Sequence, residues 1–176
     1  MRTSTSMRRP IPILCLILCL TSACSEAEPE AAPLPVSELP ERFLLVAEPE
    51  GVLDVTEARS KAVQGERIAV RGIVGGSKTP FVNGLAAFTL VDAGLKNTCT
   101  TEADHCPTPW DYCCVDPKAL VEATVTVEFR DGIEPLPTGA RGFHGLDHLS
   151  EVVVAGRSEL DARGNVTVVA TGLHLP

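Results

Sequence analysis

The sequence predicts a mainly β fold: a small five-stranded barrel with a short N-terminal helix and a cysteine-rich loop between strands two and three. Three observations carry this. Short segments alternate apolar and polar residues with a period of two, Gly, Pro and Asp punctuate them, and no long 3.6-residue pattern or internal repeat occurs. A length of 176 residues fits one domain with appendages. A hydrophobic content of 44% with 22% charged residues excludes wholesale disorder. A formal net charge of −8 argues against a protein whose main work is neutralising phosphates.

From Glu41 the elements follow in order. Asp54 or Thr56 is placed to cap a short helix running through Val63, since Asp54-Val55-Thr56-Glu57-Ala58-Arg59 is helix-start chemistry. Arg67-Ile68-Ala69-Val70-Arg71-Gly72-Ile73-Val74 reads as the first barrel strand, with Gly72 at a bend or bulge. Residues 85–92 form the second, with Phe88 and Leu90 sharing a face. The third, residues 123–130, turns Val125, Val127 and Phe129 one way and Thr124, Thr126, Glu128 and Arg130 the other. Residues 152–156 and 165–170 are the last two. Between them Asp161-Ala162-Arg163-Gly164 suits a type I turn with Gly164 in the left-handed region.

The N-terminus reads as an address. Arg2, Arg8 and Arg9 precede an apolar run from Ile11 to Leu20 that is too short to cross a bilayer but suits a secretory signal peptide. Thr21-Ser22-Ala23-Cys24 resembles the lipobox of bacterial lipoproteins, with Thr21 where leucine is usual and Leu20 one place earlier. The resemblance implies that Cys24 takes the lipid and becomes the mature N-terminus. Ser25 in place of an aspartate leans towards the outer rather than the inner membrane. Losing residues 1–23 removes three of the 15 bases, leaving 12 against 23 acids, a mature charge of −11. Residues 25–40 hold four glutamates and four prolines, a composition that reads as an extended spacer joining Cys24 to a domain spanning 41–176.

The phrases Val70-Arg71-Gly72-Ile73-Val74, Phe88-Thr89-Leu90-Val91-Asp92 and Val152-Val153-Val154-Ala155-Gly156 give roughly residues 66–175 a resemblance to the OB-fold. With Cys106-Pro107-Thr108-Pro109-Trp110-Asp111-Tyr112-Cys113-Cys114, the chain is similar to uncharacterised bacterial OB-fold lipoproteins. That group brings no activity with it. OB barrels bind oligonucleotides or oligosaccharides on their second and third strands. Nucleic-acid versions need stacking aromatics and a basic groove, whereas Phe88 and Phe129 sit on the faces assigned to the core.

The loop at about 93–122 concentrates the unusual chemistry. It holds Cys99, Cys106, Cys113 and Cys114, an even count in a chain expected to be exported, so two disulfides are the natural reading. Bonding Cys113 to Cys114 would need a strained vicinal bridge, which favours each reaching back to Cys99 or Cys106. The alternative is a zinc or copper site. His105 adjoins Cys106, and His144 and His148 have the H-x₃-H spacing of two ligands that could join Cys113 and Cys114. A redox-active disulfide would use the same cysteines, without the C-x-x-C spacing that usually marks one. Trp110 and Tyr112, the only Trp and Tyr, lie in this loop and could meet a partner or cap an open barrel end.

Gly72-Ile73-Val74-Gly75-Gly76-Ser77-Lys78-Thr79 nearly matches a phosphate-binding loop, but Ser77 replaces a required glycine and Pro80 disfavours the helix that should begin at Thr79. No nucleophile–base signature occurs. The expectation is a membrane-anchored, non-catalytic binding or assembly module of the cell envelope without a cofactor. Its partners would be the bilayer, through acyl chains, and an envelope protein or glycan, and not nucleic acid.

Overall fold

A computed structural model describes residues 33–97 and 106–176. The segment read as a signal peptide, Cys24, Cys99 and His105 therefore lie outside the described residues. The elements are β1 (Val52–Asp54), α1 (Val55–Lys61), β2 (Arg67–Val74), β3 (Ala87–Val91), α2 (Pro117–Glu122), β4 (Thr124–Glu128), β5 (Arg130–Asp131), β6 (Glu134–Pro135), β7 (Glu151–Leu160) and β8 (Val166–His174).

Strands β2, β3, β4, β8 and β7 are neighbours in that order, and β7 pairs back onto β2, closing a five-stranded barrel. All of these contacts are antiparallel except β4–β8, which is parallel. Closure leaves the barrel no open edge, while β1 adds a short parallel flank to β2. This is the OB-like barrel anticipated from the alternation. Val125, Val127 and Phe129 are buried, as are Phe88 and Leu90, so the assigned faces do point inward.

Several boundaries move. Strands β7 and β8 run to Leu160 and His174, beyond the apolar runs that marked them. Cross-strand hydrogen bonding carries the polar stretch Arg157-Ser158-Glu159 as ladder, because its partners on β8 are already in place. The β2–β7 ladder passes through Gly72 without a shift, so of the bend or bulge expected there the bulge is absent. It falls instead at Ala155/Gly156, where a side chain at Gly156 would lie 2.3 Å from the Val169 carbonyl oxygen. Gly164 adopts φ +79°, and Gly164 N–H donates to Asp161 O at 3.0 Å, forming the predicted turn.

Helix α1 stops at Lys61, short of Val63, and its cap is not the expected one. Asp54 makes no side-chain capping bond. Asp92, at the end of β3, accepts from Thr56 N–H at 2.8 Å and from Thr56 Oγ1 at 2.7 Å. The cysteine loop also contains an unanticipated helix, α2. Asp116 accepts from the Lys118 and Ala119 amides and Pro117 occupies the first turn, a helix start legible in the Asp-Pro pair.

The packed unit begins before Glu41. Leu39 and Phe43 are buried, and the Phe43 ring meets Phe129 edge-on at 4.9 Å. Leu45 N–H donates to Leu173 O at 2.8 Å, and Ser37 Oγ donates to Gly139 O at 2.7 Å. Residues 37–45 thus form a strap across the barrel, so the part of the expected spacer after about Ser37 is structural. Apolar Leu39 and Phe43 supply the reason, since each buried large side chain contributes about 1.5–3 kcal/mol.

Candidate functional site

The cysteine loop docks on the barrel through its Pro-Trp-Asp turn. Pro109–Asp111 forms one 3₁₀ turn, ended by Tyr112 at φ 56° in the left-handed region. Tyr112 is only 2% exposed. Burial raises its hydroxyl pKa, opposed by a hydrogen bond with Asn97, whose Nδ2 also donates to Pro109 O at 2.7 Å. The Trp110 carbonyl accepts from Gly76 N–H at 2.9 Å, and the Trp110 Nε1–H donates to Lys78 O at 3.2 Å. A Cβ on Gly75 would lie 2.8 Å from the Trp110 carbonyl oxygen and 3.1 Å from the Tyr112 ring. The glycine pair that imitates a phosphate-binding loop is therefore the seat of the Trp110 turn.

Trp110 stacks on His148, with ring centroids 4.1 Å apart and planes 9° from parallel. The His148 ring also meets Phe81 edge-on at 5.5 Å. His148 has a pKa below the usual histidine value, first because it is partly buried and second because the Arg141 cation is near, with Asp147 opposing both. The neutral ring is thus the favoured partner of the indole at neutral pH. Arg141 Nε donates to Asp147 Oδ1 at 2.6 Å. Burial pushes the Asp147 carboxyl up, but Arg141 and the His148 amide outweigh it and hold the group below the ordinary carboxylate range.

Trp110, His148, Phe81 and Arg141 wall a cleft of about 550 Å³ between the hairpin following β2, the Trp110 turn, residues 139–141 and the Pro35-Val36 segment just ahead of the strap. Lys78, Thr79, Asn83 and Arg141 provide its polar lining, and Val36, Phe81 and Val82 its apolar rim. No carboxylate is among its lining residues. Gly142 lets the segment ahead of the strap approach: it has φ +93°, and a Cβ there would strike the Pro35 carbonyl oxygen. The volume and the mix of aromatic wall with a few polar groups are those of a small-molecule site.

The thiols gather elsewhere in the loop. Ligand atoms of Cys106, Asp111 and Cys113 lie within 4.8 Å of one another, and Cys113 Sγ is 3.8 Å from Cys114 Sγ. Asp111 accepts from Thr108 Oγ1 and from Cys113 N–H, each at 2.8 Å. Burial raises its pKa, but these bonds and the Lys78 charge leave it lowered. The two histidines of the H-x₃-H spacing do not join this group. His144 Nε2 lies 2.8 Å from Glu41 Oε2, while His148 is stacked on Trp110. Sequence reasoning did not single out Asp111 or Arg141: Asp111 is held by local bonds to Thr108 and Cys113, whereas Arg141 meets Trp110 and Lys78 at the cleft only through the fold.

Comparison with known protein families, curated proteins and solved structures gives no match. The site's chemistry must therefore be argued from its own residues. Among the described residues no helix is long and apolar enough to cross a membrane.

Proposed function

We propose that the protein is a lipid-anchored, extracytoplasmic binding module of the cell envelope, without catalysis of its own, which meets its ligand in the Trp110 cleft. The observation that carries the reading is the cleft itself. A closed barrel, a docked aromatic turn and the Pro35-Val36 segment converge on one concavity, and the polar groups there are not aligned as nucleophile and base. The lipobox ending at Cys24 and the acidic segment behind it support the anchor, since two or more acyl chains hold a protein stably on a bilayer.

Two measurements test it. Cys24→Ala should move the protein from the membrane to the soluble fraction, and an unchanged fractionation removes the anchor. The released protein, immobilised, should retain saccharides or proteins of the envelope in a way that Trp110→Ala abolishes. Equal retention by both forms removes the cleft from the reading.

A second reading, thiophilic metal binding, draws on the proximity of Cys106, Asp111 and Cys113. Cysteine thiolates with one carboxylate suit zinc. Counting thiols in the denatured, unreduced protein alongside metal content separates the two. No titratable thiol among Cys99, Cys106, Cys113 and Cys114 and no metal support disulfides, whereas four thiols with stoichiometric zinc or copper support the metal.

A further inference from the structure

We infer that the Trp110 cleft recognises an anionic sugar, a monosaccharide unit carrying a carboxylate. The inference rests on the binding-module reading and names its ligand class. Four observations point to it.

The first is charge. In a chain with 23 acids and 15 bases, the cleft brings together the cations Lys78 and Arg141 and has no carboxylate in its lining. Of the acids nearby, Asp147 is already engaged by Arg141 at 2.6 Å and lies 3.3 Å from His148 Nδ1, and Asp111 accepts from Thr108 Oγ1 and Cys113 N–H. The second is unused donor capacity. Asp147 holds the Arg141 guanidinium at Nε, so its Nη atoms have no hydrogen-bond partner among the described residues. Lys78 likewise makes no direct ion pair among them, although its charge is felt by Asp111. A planar guanidinium fixed at Nε leaves donors suited to a carboxylate.

Third, Thr79 and Asn83 line the same space and can bond hydroxyls as donors and acceptors. Fourth, the Trp110–His148 stack gives a flat, half-buried aromatic wall against which the C–H face of a sugar ring can lie. A simple inorganic anion would leave the aromatic wall unused, and a purely apolar ligand would leave the cations unused. The larger groove along β2 and β7 offers no equal case, because the carboxylate Glu50 lines it beside the cations and Arg157 is bonded to the Gly65 carbonyl at 2.8 Å.

Trp110 is the only tryptophan, so its emission reports this cleft alone. The full-length protein, held at pH 8 and constant ionic strength, would be titrated with sodium glucuronate, glucose and sodium acetate. Glucuronate should change the emission saturably, with half-saturation of roughly millimolar order for a ligand this small. Glucose and acetate should each bind at least about tenfold more weakly, the loss expected when one charged contact or the ring is missing. Lys78→Gln, at an exposed side chain, should weaken glucuronate at least about fivefold without shifting the unfolding midpoint. Arg141→Gln should do the same, with folding checked by the unfolding midpoint.

Equal responses to glucose and glucuronate overturn the anion assignment and leave a neutral-sugar module standing. Equal responses to acetate and glucuronate overturn the sugar assignment. No saturable response to any of the three also overturns the inference, while the binding-module reading is decided separately by Trp110-dependent retention of envelope material.

Discussion

Gly75 shows how a single residue decides whether the cysteine loop belongs to the barrel. Its missing side chain lets the Trp110 carbonyl and the Tyr112 ring approach to distances that a Cβ would forbid. Gly75→Ala should detach the turn, costing about 1–3 kcal/mol as an overpacked contact and shifting Trp110 emission to the red. Fluorescence and thermal unfolding together check this, and an unshifted emission would count against the docked geometry. His148 adds a pH dependence at the same place. Its folded-state pKa is lowered, so the native state binds fewer protons than the unfolded chain in this range. The stability it contributes is full above the ordinary histidine pKa and is lost as pH falls through the lower folded value. Trp110 emission should change with a midpoint below the ordinary histidine value, and His148→Gln should remove that step.

At the scale of elements, helix α1 depends on a cap from outside its own segment. Asp92 closes β3 and holds the first turn of α1, and its carboxyl also accepts from Gly94 N–H at 2.8 Å. Burial raises the Asp92 pKa, but the bonds from Thr56 and Gly94 bring it below the ordinary carboxylate value. Asp92→Ala should therefore cost about 1–3 kcal/mol, a lost cap together with unpaired amides. Denaturant unfolding measures the loss, and Asp54→Ala should cost less, since Asp54 makes no side-chain cap bond. Local sequence pointed to Asp54 or Thr56 because capping is normally read within one turn. Asp92 is 36 residues from Thr56, and no local pattern could have named it. Helix α2 differs: its start is local, with Asp116 accepting from the Lys118 and Ala119 amides and Pro117 in the first turn, so the Asp-Pro pair alone marks it.

For the molecule as a whole, the strap at residues 37–45 is part of the core. Phe43 packs edge-on against Phe129 beneath it, and the Leu44–Leu173 bridge adds a short parallel pairing. Phe43→Ala should destabilise the barrel by about 3–5 kcal/mol, read as a drop in unfolding midpoint. An exposed spacer residue would change it by a few tenths. The Glu-Pro composition of residues 25–40 made the whole segment read as spacer, yet composition averages over Leu39, the buried anchor inside it.

The sequence by itself determined the barrel, because period-two alternation and glycine-marked turns are local properties that backbone geometry translates directly into strands. It also determined that the cysteine loop is unusual and supplied the lipobox resemblance at Cys24. Tertiary structure alone decided where the strands end, what caps α1, and that the glycine-rich segment after β2 seats Trp110. It alone placed His148 on the indole rather than beside the cysteines and brought Lys78 and Arg141 to one cleft. Such groupings join residues tens of positions apart, and only barrel closure fixes the distances between them.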